Sequence, residues 1–172
     1  MHWTWLKERL ADQYAQDWQS ELRATTGKLR TYKLIKEDLK RESYLKLSPY
    51  MRVPVARLRT STHTLRIETG QYNLPVPVPA EERYCWFCQN GSVEDECHFL
   101  FECNLYSTLQ ENSTLTNYCS LLNPAFTSLN NVDKWRYISL TTDTHLTYIF
   151  SKFVSCTFQQ RRNNVIVPSQ YK

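Results

Sequence analysis

Cys85-Trp86-Phe87-Cys88-Gln89-Asn90-Gly91-Ser92-Val93-Glu94-Asp95-Glu96-Cys97-His98-Phe99-Leu100-Phe101-Glu102-Cys103 is the stretch on which the reading of this chain turns. Two cysteines three apart can place both sulfurs on one ion through a tight turn, and Gln89 to Ser92 supplies turn-forming residues beyond them. His98 and Cys103 complete the pattern C-x2-C-x9-H-x4-C. Three sulfurs and one imidazole suit Zn2+ in a structural role, because a fourth protein ligand leaves no position for a reactive water. The spacing therefore predicts one structural Zn2+ on Cys85, Cys88, His98 and Cys103. Cys97 either replaces His98 as a ligand or packs as a buried thiol, and the spacing favours the second. Cys119 and Cys156 have no neighbours in sequence that would form a second site and read as packing residues.

Outward from this knuckle the chain reads as helices. Upstream, Gly70 to Ala80 carries Pro75, Pro77 and Pro79, too many for a helix interior, and reads as a stiff connector. Thr64 to Glu68 alternates and predicts an extended segment. Trp3, Leu6, Leu10, Tyr14, Trp18 and Leu22 recur at three or four, an amphipathic helix that Gly27 ends. Leu29, Tyr32, Ile35 and Leu39 outline a second stripe, and a short helix is expected over Val55 to Thr60. Within the knuckle, Val93 to Phe101 predicts a short helix capped by Ser92. Downstream, Val132 to Leu140 predicts a helix, and Thr142 or Asp143 caps the next. That last helix shows Leu146, Ile149, Phe150, Phe153 and Val154 on one face, with Arg161 and Arg162 at its carboxyl end. The expected fold is mainly α, a helical domain with a small inserted CCHC zinc-binding subdomain. Its parts are a basic helical region at 1–80, the zinc subdomain at 81–106, a helical region at 107–164 and a tail at 165–172.

Composition sets the class. With 172 residues, seven Phe, eleven Tyr and five Trp, the chain has enough apolar material for one ordinary core. No apolar run reaches the roughly 20 residues of a membrane-spanning helix, and charge arrives too early at the amino terminus for an export signal. An intracellular protein is expected, in nucleus or cytoplasm, with no membrane partner. The six cysteines then read as metal chemistry rather than a disulfide framework. Charge is segregated: residues 28–66 carry eleven basic against three acidic side chains, and residues 81–112 one basic against seven acidic.

A family resemblance rests on three stretches. Arg57-Leu-Arg-Thr-Ser-Thr-His-Thr-Leu-Arg-Ile-Glu-Thr-Gly-Gln-Tyr72, Glu82-Arg83-Tyr84-Cys85-Trp-Phe-Cys88 and Val93-Glu-Asp-Glu-Cys-His-Phe-Leu-Phe-Glu-Cys103 resemble the zinc-binding region downstream of the reverse transcriptase in non-LTR (LINE-type) retrotransposons. Short animal proteins derived from that region look similar. The resemblance is specific over 57–106 and weaker across the rest of 12–162. It implies a Cys-Cys-His-Cys site at Cys85, Cys88, His98 and Cys103, and a role in holding template RNA or target DNA beside the polymerase. Cys97 departs from the pattern, standing where an apolar or aromatic residue is expected.

The residues narrow the function further. The six aspartates include no adjacent pair of the kind that holds polymerase metals, and glycines at 27, 70 and 91 form no phosphate loop, so no enzyme is expected. His63 has no evident partner and reads as a surface or packing residue. Nine residues separate Cys88 from His98, far more than in the retroviral knuckle that grips single strands, and the flanking run is acidic. The expected contacts with RNA or DNA phosphate are Lys33, Lys36, Lys40, Arg41, Arg57, Arg59 and Arg66, with Tyr32 and Tyr44 as stacking surfaces. The equal alternative is a solvated helical face that balances the acidic module within the chain. The competing readings are a protein-interaction module, whose acidic subdomain docks on a basic protein partner, and the product of a decayed element.

Overall fold

The computed structural model describes residues 2–25, 29–36, 38–73, 75–88, 90–112 and 114–164. The expected helix stop at Gly27 and the tail at 165–172 lie outside them. Eight α-helices are described: α1 (His2–Ala24), α2 (Arg30–Ile35), α3 (Pro49–Arg59), α4 (Arg66–Thr69), α5 (Ser107–Asn112), α6 (Thr114–Leu122), α7 (Asn131–Leu140) and α8 (Thr144–Asn164). Among the described residues the one β-type pairing is an antiparallel bridge between Tyr84 and Val93. No helix there is long and apolar enough to cross a membrane.

The two carboxyl-terminal helices follow their capping chemistry. Asn130 accepts the Asp133 backbone N–H at 2.9 Å to open α7, and Asp143 accepts that of Leu146 at 2.6 Å to open α8. The apolar face expected on α8 is inward, with Leu146, Phe150, Phe153 and Val154 buried. Thr147, Ser151, Ser155 and Thr157 are buried beside it, and these small side chains let α3 lie along α8.

Helix α3 begins at Pro49, earlier than the expected Val55, and runs through Pro54. An interior proline leaves the carbonyl four residues back without a donor. Here that carbonyl belongs to Tyr50; the Ser155 hydroxyl of α8 lies 3.3 Å from it and shares its one hydrogen with the nearer Ser151 carbonyl at 2.8 Å. This contact with the freed carbonyl comes from 105 residues away in sequence. Two other segments also differ from expectation. The segment expected to be extended, Thr64 to Glu68, instead turns into α4, and the stripe outlined over Leu29 to Leu39 forms only the short α2.

One core joins regions that the sequence divides. Ile35, Val55 and Leu58 from the amino-terminal part, Phe99, Leu100 and Tyr106 from the knuckle, and Trp135, Leu146 and Val154 from the rest form a single buried cluster. Phe99 meets Tyr106 edge-on at 5.0 Å and Phe158 of α8 at 4.6 Å. The knuckle is thus fastened to the helices through its own apolar side chains.

The proline connector is tied down at Gly70 and Arg83. The Val78 N–H donates to the Gly70 carbonyl at 3.0 Å, and Arg83 donates to the carbonyls of Val78, at 2.8 Å, and Ile67. A methyl group on Gly70 would lie 2.7 Å from the Arg83 Cγ and Cδ atoms, inside any tolerable contact. Gly70→Ala is therefore expected to displace Arg83 and cost about 1–3 kcal/mol, measurable as a lowered denaturant midpoint. An unchanged midpoint would show that the Arg83 contacts contribute little.

Candidate metal centre

The knuckle opens as a hairpin. The Cys85 N–H donates to the Ser92 carbonyl at 2.9 Å, the Glu94 N–H donates to the Arg83 carbonyl at 2.9 Å, and Gly91 takes a φ of 74° to make the turn. Asn90 stiffens it by accepting from the Cys88 thiol at 2.8 Å and the Ser92 N–H at 3.2 Å. The following segment is not the expected α-helix from Val93. Asp95, rather than Ser92, caps it by accepting the His98 N–H at 2.8 Å, and the chain then makes a π-turn over His98–Glu102. The Cys103 N–H closes this wider turn on the His98 carbonyl at 2.9 Å. The extra residue brings Cys103 round to the same side as His98.

Cys85, Cys88, His98 and Cys103 converge: their ligand atoms all lie within 4.8 Å of one another. Cys85 Sγ and Cys103 Sγ are 3.8 Å apart, and Cys88 Sγ is 3.3 Å from His98 Nε2. Tetrahedral Zn2+ with Zn–S bonds of about 2.3 Å needs S···S separations of about 3.8 Å, so the donor set fits the ion. His98 Nδ1 faces Glu102 Oε2 at 3.4 Å, and Asn131 holds the other carboxylate oxygen. That leaves Nε2 to face the sulfurs, the carboxylate–histidine arrangement that orients metal-binding imidazoles.

The thiols differ in kind. The hydrogen bond between Cys85 and Cys103 favours loss of one proton from this pair of thiols. Burial instead pushes Cys97 and Cys119 up to about 12, which keeps both neutral. Cys119 is fully buried and Cys97 partly so.

Two buried carboxylates that the sequence offered as an acidic surface hold the knuckle from behind. Glu94 Oε2 accepts from Arg161 of α8 at 2.9 Å and from the Arg66 backbone N–H at 2.8 Å. Glu96 accepts from Arg30 at 2.5 Å, from Thr31, and from His63 at 2.9 Å, which makes His63 a buried partner rather than an unpaired residue. Burial opposes ionisation of Glu96, yet the hydrogen bond and charge of His63, with Arg30 and Thr31, outweigh it and hold the carboxyl at about 2. His63, Glu68 and Glu96 also cluster closely enough for a metal, but the Arg30 guanidinium already reaches both carboxylates. Sequence reasoning missed these partners because an acidic run beside a charged knuckle carries no sign of which members face inward. The apolar Phe99-Leu100 step that follows is the one local hint.

The seven basic residues singled out for phosphate contact do not form one surface. Arg59 is buried against Glu42 at 2.8 Å, and Lys36 reaches the same carboxylate at 3.1 Å. Arg66 is buried, its guanidinium carbon 4.0 Å from the centre of the Trp86 ring. Lys33 reaches back to the Thr25 carbonyl at the end of α1. Lys40 pairs with Asp38 at 2.9 Å and is exposed, as are Arg41 and Arg57. Compared with known families, curated proteins and solved structures, the chain finds no matching family model, protein or structure.

Proposed function

We propose that this chain is a structural zinc-binding module of the retrotransposon-derived kind, whose helical body contacts the phosphate backbone of RNA or DNA. The observation that carries the metal half is the convergence of three sulfurs and one imidazole nitrogen within 4.8 Å. Bound there, zinc joins the hairpin at Cys85 and Cys88 to the π-turn at His98 and Cys103. With four protein ligands its role is to hold the fold, not to activate water. The retroelement assignment is supported by the motif resemblance over 57–106.

For nucleic acid, the support is a groove of about 400 Å³ lined by Tyr50, Arg57, His63 and Arg162 among others. Arg57 and Arg162 are exposed, and so is the Tyr50 ring. Two guanidinium groups and an open aromatic ring in one groove suit a phosphate and a stacked base. The acidic run is no obstacle, since Glu94 and Glu96 are buried in ion pairs.

Fluorescence anisotropy with single-stranded RNA and DNA at rising salt tests this reading. Affinity is expected to fall steeply between 50 and 200 mM salt. The variant Arg57→Glu/Arg162→Glu is expected to bind more weakly and to flatten the salt slope by about 1.4, the share of two phosphate contacts on a single strand. Binding that this double reversal leaves unchanged would reject the groove.

A further inference from the structure

Helix α1 carries an apolar strip that the rest of the described chain leaves open. Trp3, Leu10 and Tyr14 are 68%, 61% and 67% exposed, while Trp18 is half-buried. The carboxyl end of the helix is held by Lys33, which donates to the carbonyls of Arg23 and Thr25. Its outer two-thirds therefore project with large apolar side chains in solvent, a feature that calls for a covering partner.

The order of residues along the strip says which partner. At about 100° per residue, Trp3, Lys7, Leu10, Tyr14, Trp18 and Glu21 fall within a band about 80° wide. The Lys7 ammonium lies 5.8 Å from the centre of the Trp3 ring, which puts both on one face. Counted from Tyr14, Leu10 and Trp18 stand four residues to either side, and Lys7 and Glu21 seven to either side. Turning the helix end over end about Tyr14 therefore lays apolar residue on apolar residue and opposite charge on opposite charge.

We propose that α1 is a dimerisation helix, pairing antiparallel with α1 of a second copy of this chain about a two-fold axis at Tyr14. Tyr14 meets Tyr14, Leu10 meets Trp18 on both sides, and Lys7 meets Glu21 twice. Such an interface is isologous and closes on itself, so it makes dimers rather than filaments. A parallel pairing would set Lys7 on Lys7 and Glu21 on Glu21, and the charges reject it. An anionic membrane is a poorer match, because Glu8, Asp12, Asp17 and Glu21 outnumber Lys7, Arg9 and Arg23 on this helix.

Sedimentation equilibrium of the full zinc-loaded chain decides the matter. The wild-type chain is expected to be dimeric, and Leu10→Asp to weaken association by about a hundredfold, since it places a carboxylate in both apolar contacts. Lys7→Glu and Glu21→Lys are each expected to weaken it by about tenfold, because either change turns two attractions into two repulsions. Lys7→Glu/Glu21→Lys restores the opposition of charge and is expected to return association to within about twofold of wild type. That rescue is specific to the antiparallel register and survives as a test even if Leu10→Asp disturbs the helix. A wild-type chain that stays monomeric overturns the proposal, whether or not it binds anionic vesicles. A dimer indifferent to the single reversals, or not rescued by the double one, overturns the assigned register.

Discussion

Replacing Cys85 with serine is expected to abolish zinc retention and to unfold the knuckle between Arg83 and Tyr106. Cys85 lies 3.8 Å from Cys103 and sits on the arm of the hairpin that begins the site. A serine hydroxyl at neutral pH offers no anionic ligand, and three ligands hold the ion far less well than four. Structural zinc contributes about 10–16 kcal/mol in small modules, while a whole domain has a net stability of only about 5–15 kcal/mol. Loss of the ion therefore outweighs any other single change considered. It should also reach the helices, because Phe99 and Leu100 inside the knuckle are fully buried in the common core. Near-ultraviolet circular dichroism should collapse in the variant, and in the wild-type chain on chelation. A Cys97→Ser variant is the control: its thiol stands outside the tetrad and zinc content should be unchanged. Retention of zinc and fold by Cys85→Ser would exclude Cys85 from the ligand set.

The second large effect is expected at the Glu94–Arg161 pair. Both side chains are buried, and burial pushes the Glu94 carboxyl above its ordinary range despite the pull of Arg161 and the Arg66 N–H. Desolvation thus weighs more on the Glu94 carboxylate than these partners return. Breaking it is nonetheless severe, because Glu94→Gln leaves the Arg161 guanidinium buried without a counter-charge. The expected loss is about 3–5 kcal/mol, read from chemical denaturation. Replacing both, as Glu94→Gln/Arg161→Met, should recover most of that loss. Additive losses in the double variant would show that the two residues act separately. Glu94 also donates its N–H to Arg83 and accepts the Ile67 N–H, so the pair fixes where the knuckle sits on α4 and α8.

What the sequence disclosed and what it hid divide by range. The four clustered side chains were legible because C-x2-C-x9-H-x4-C is a local spacing with few physical meanings. Helix α8 was legible from its Thr142-or-Asp143 cap and the three-and-four recurrence of apolar residues, and α7 was placed one residue short of its observed start at Asn131. Helix α3 was misjudged at its start because Pro54 is a breaker by every local rule, and Ser155, which approaches the freed carbonyl, is remote. The π-turn at His98–Glu102 differs from an α-turn by one residue, too little to disturb a short apolar pattern. The charge map left two readings open, a phosphate-binding face and charges balanced within the chain. Arg30 with Glu96 follows the second, while Arg59 and Lys36 are held by Glu42 of their own stretch. Charge counts along a chain record composition. Only the fold assigns each charge to solvent or to another side chain.

The zinc K-edge X-ray absorption spectrum of the purified full-length chain tests the central claim most directly. It should report one zinc per chain with three sulfurs at about 2.3 Å and one nitrogen at about 2.0 Å. A chain purified with zinc present that carries none, or a coordination shell dominated by oxygen, would contradict it.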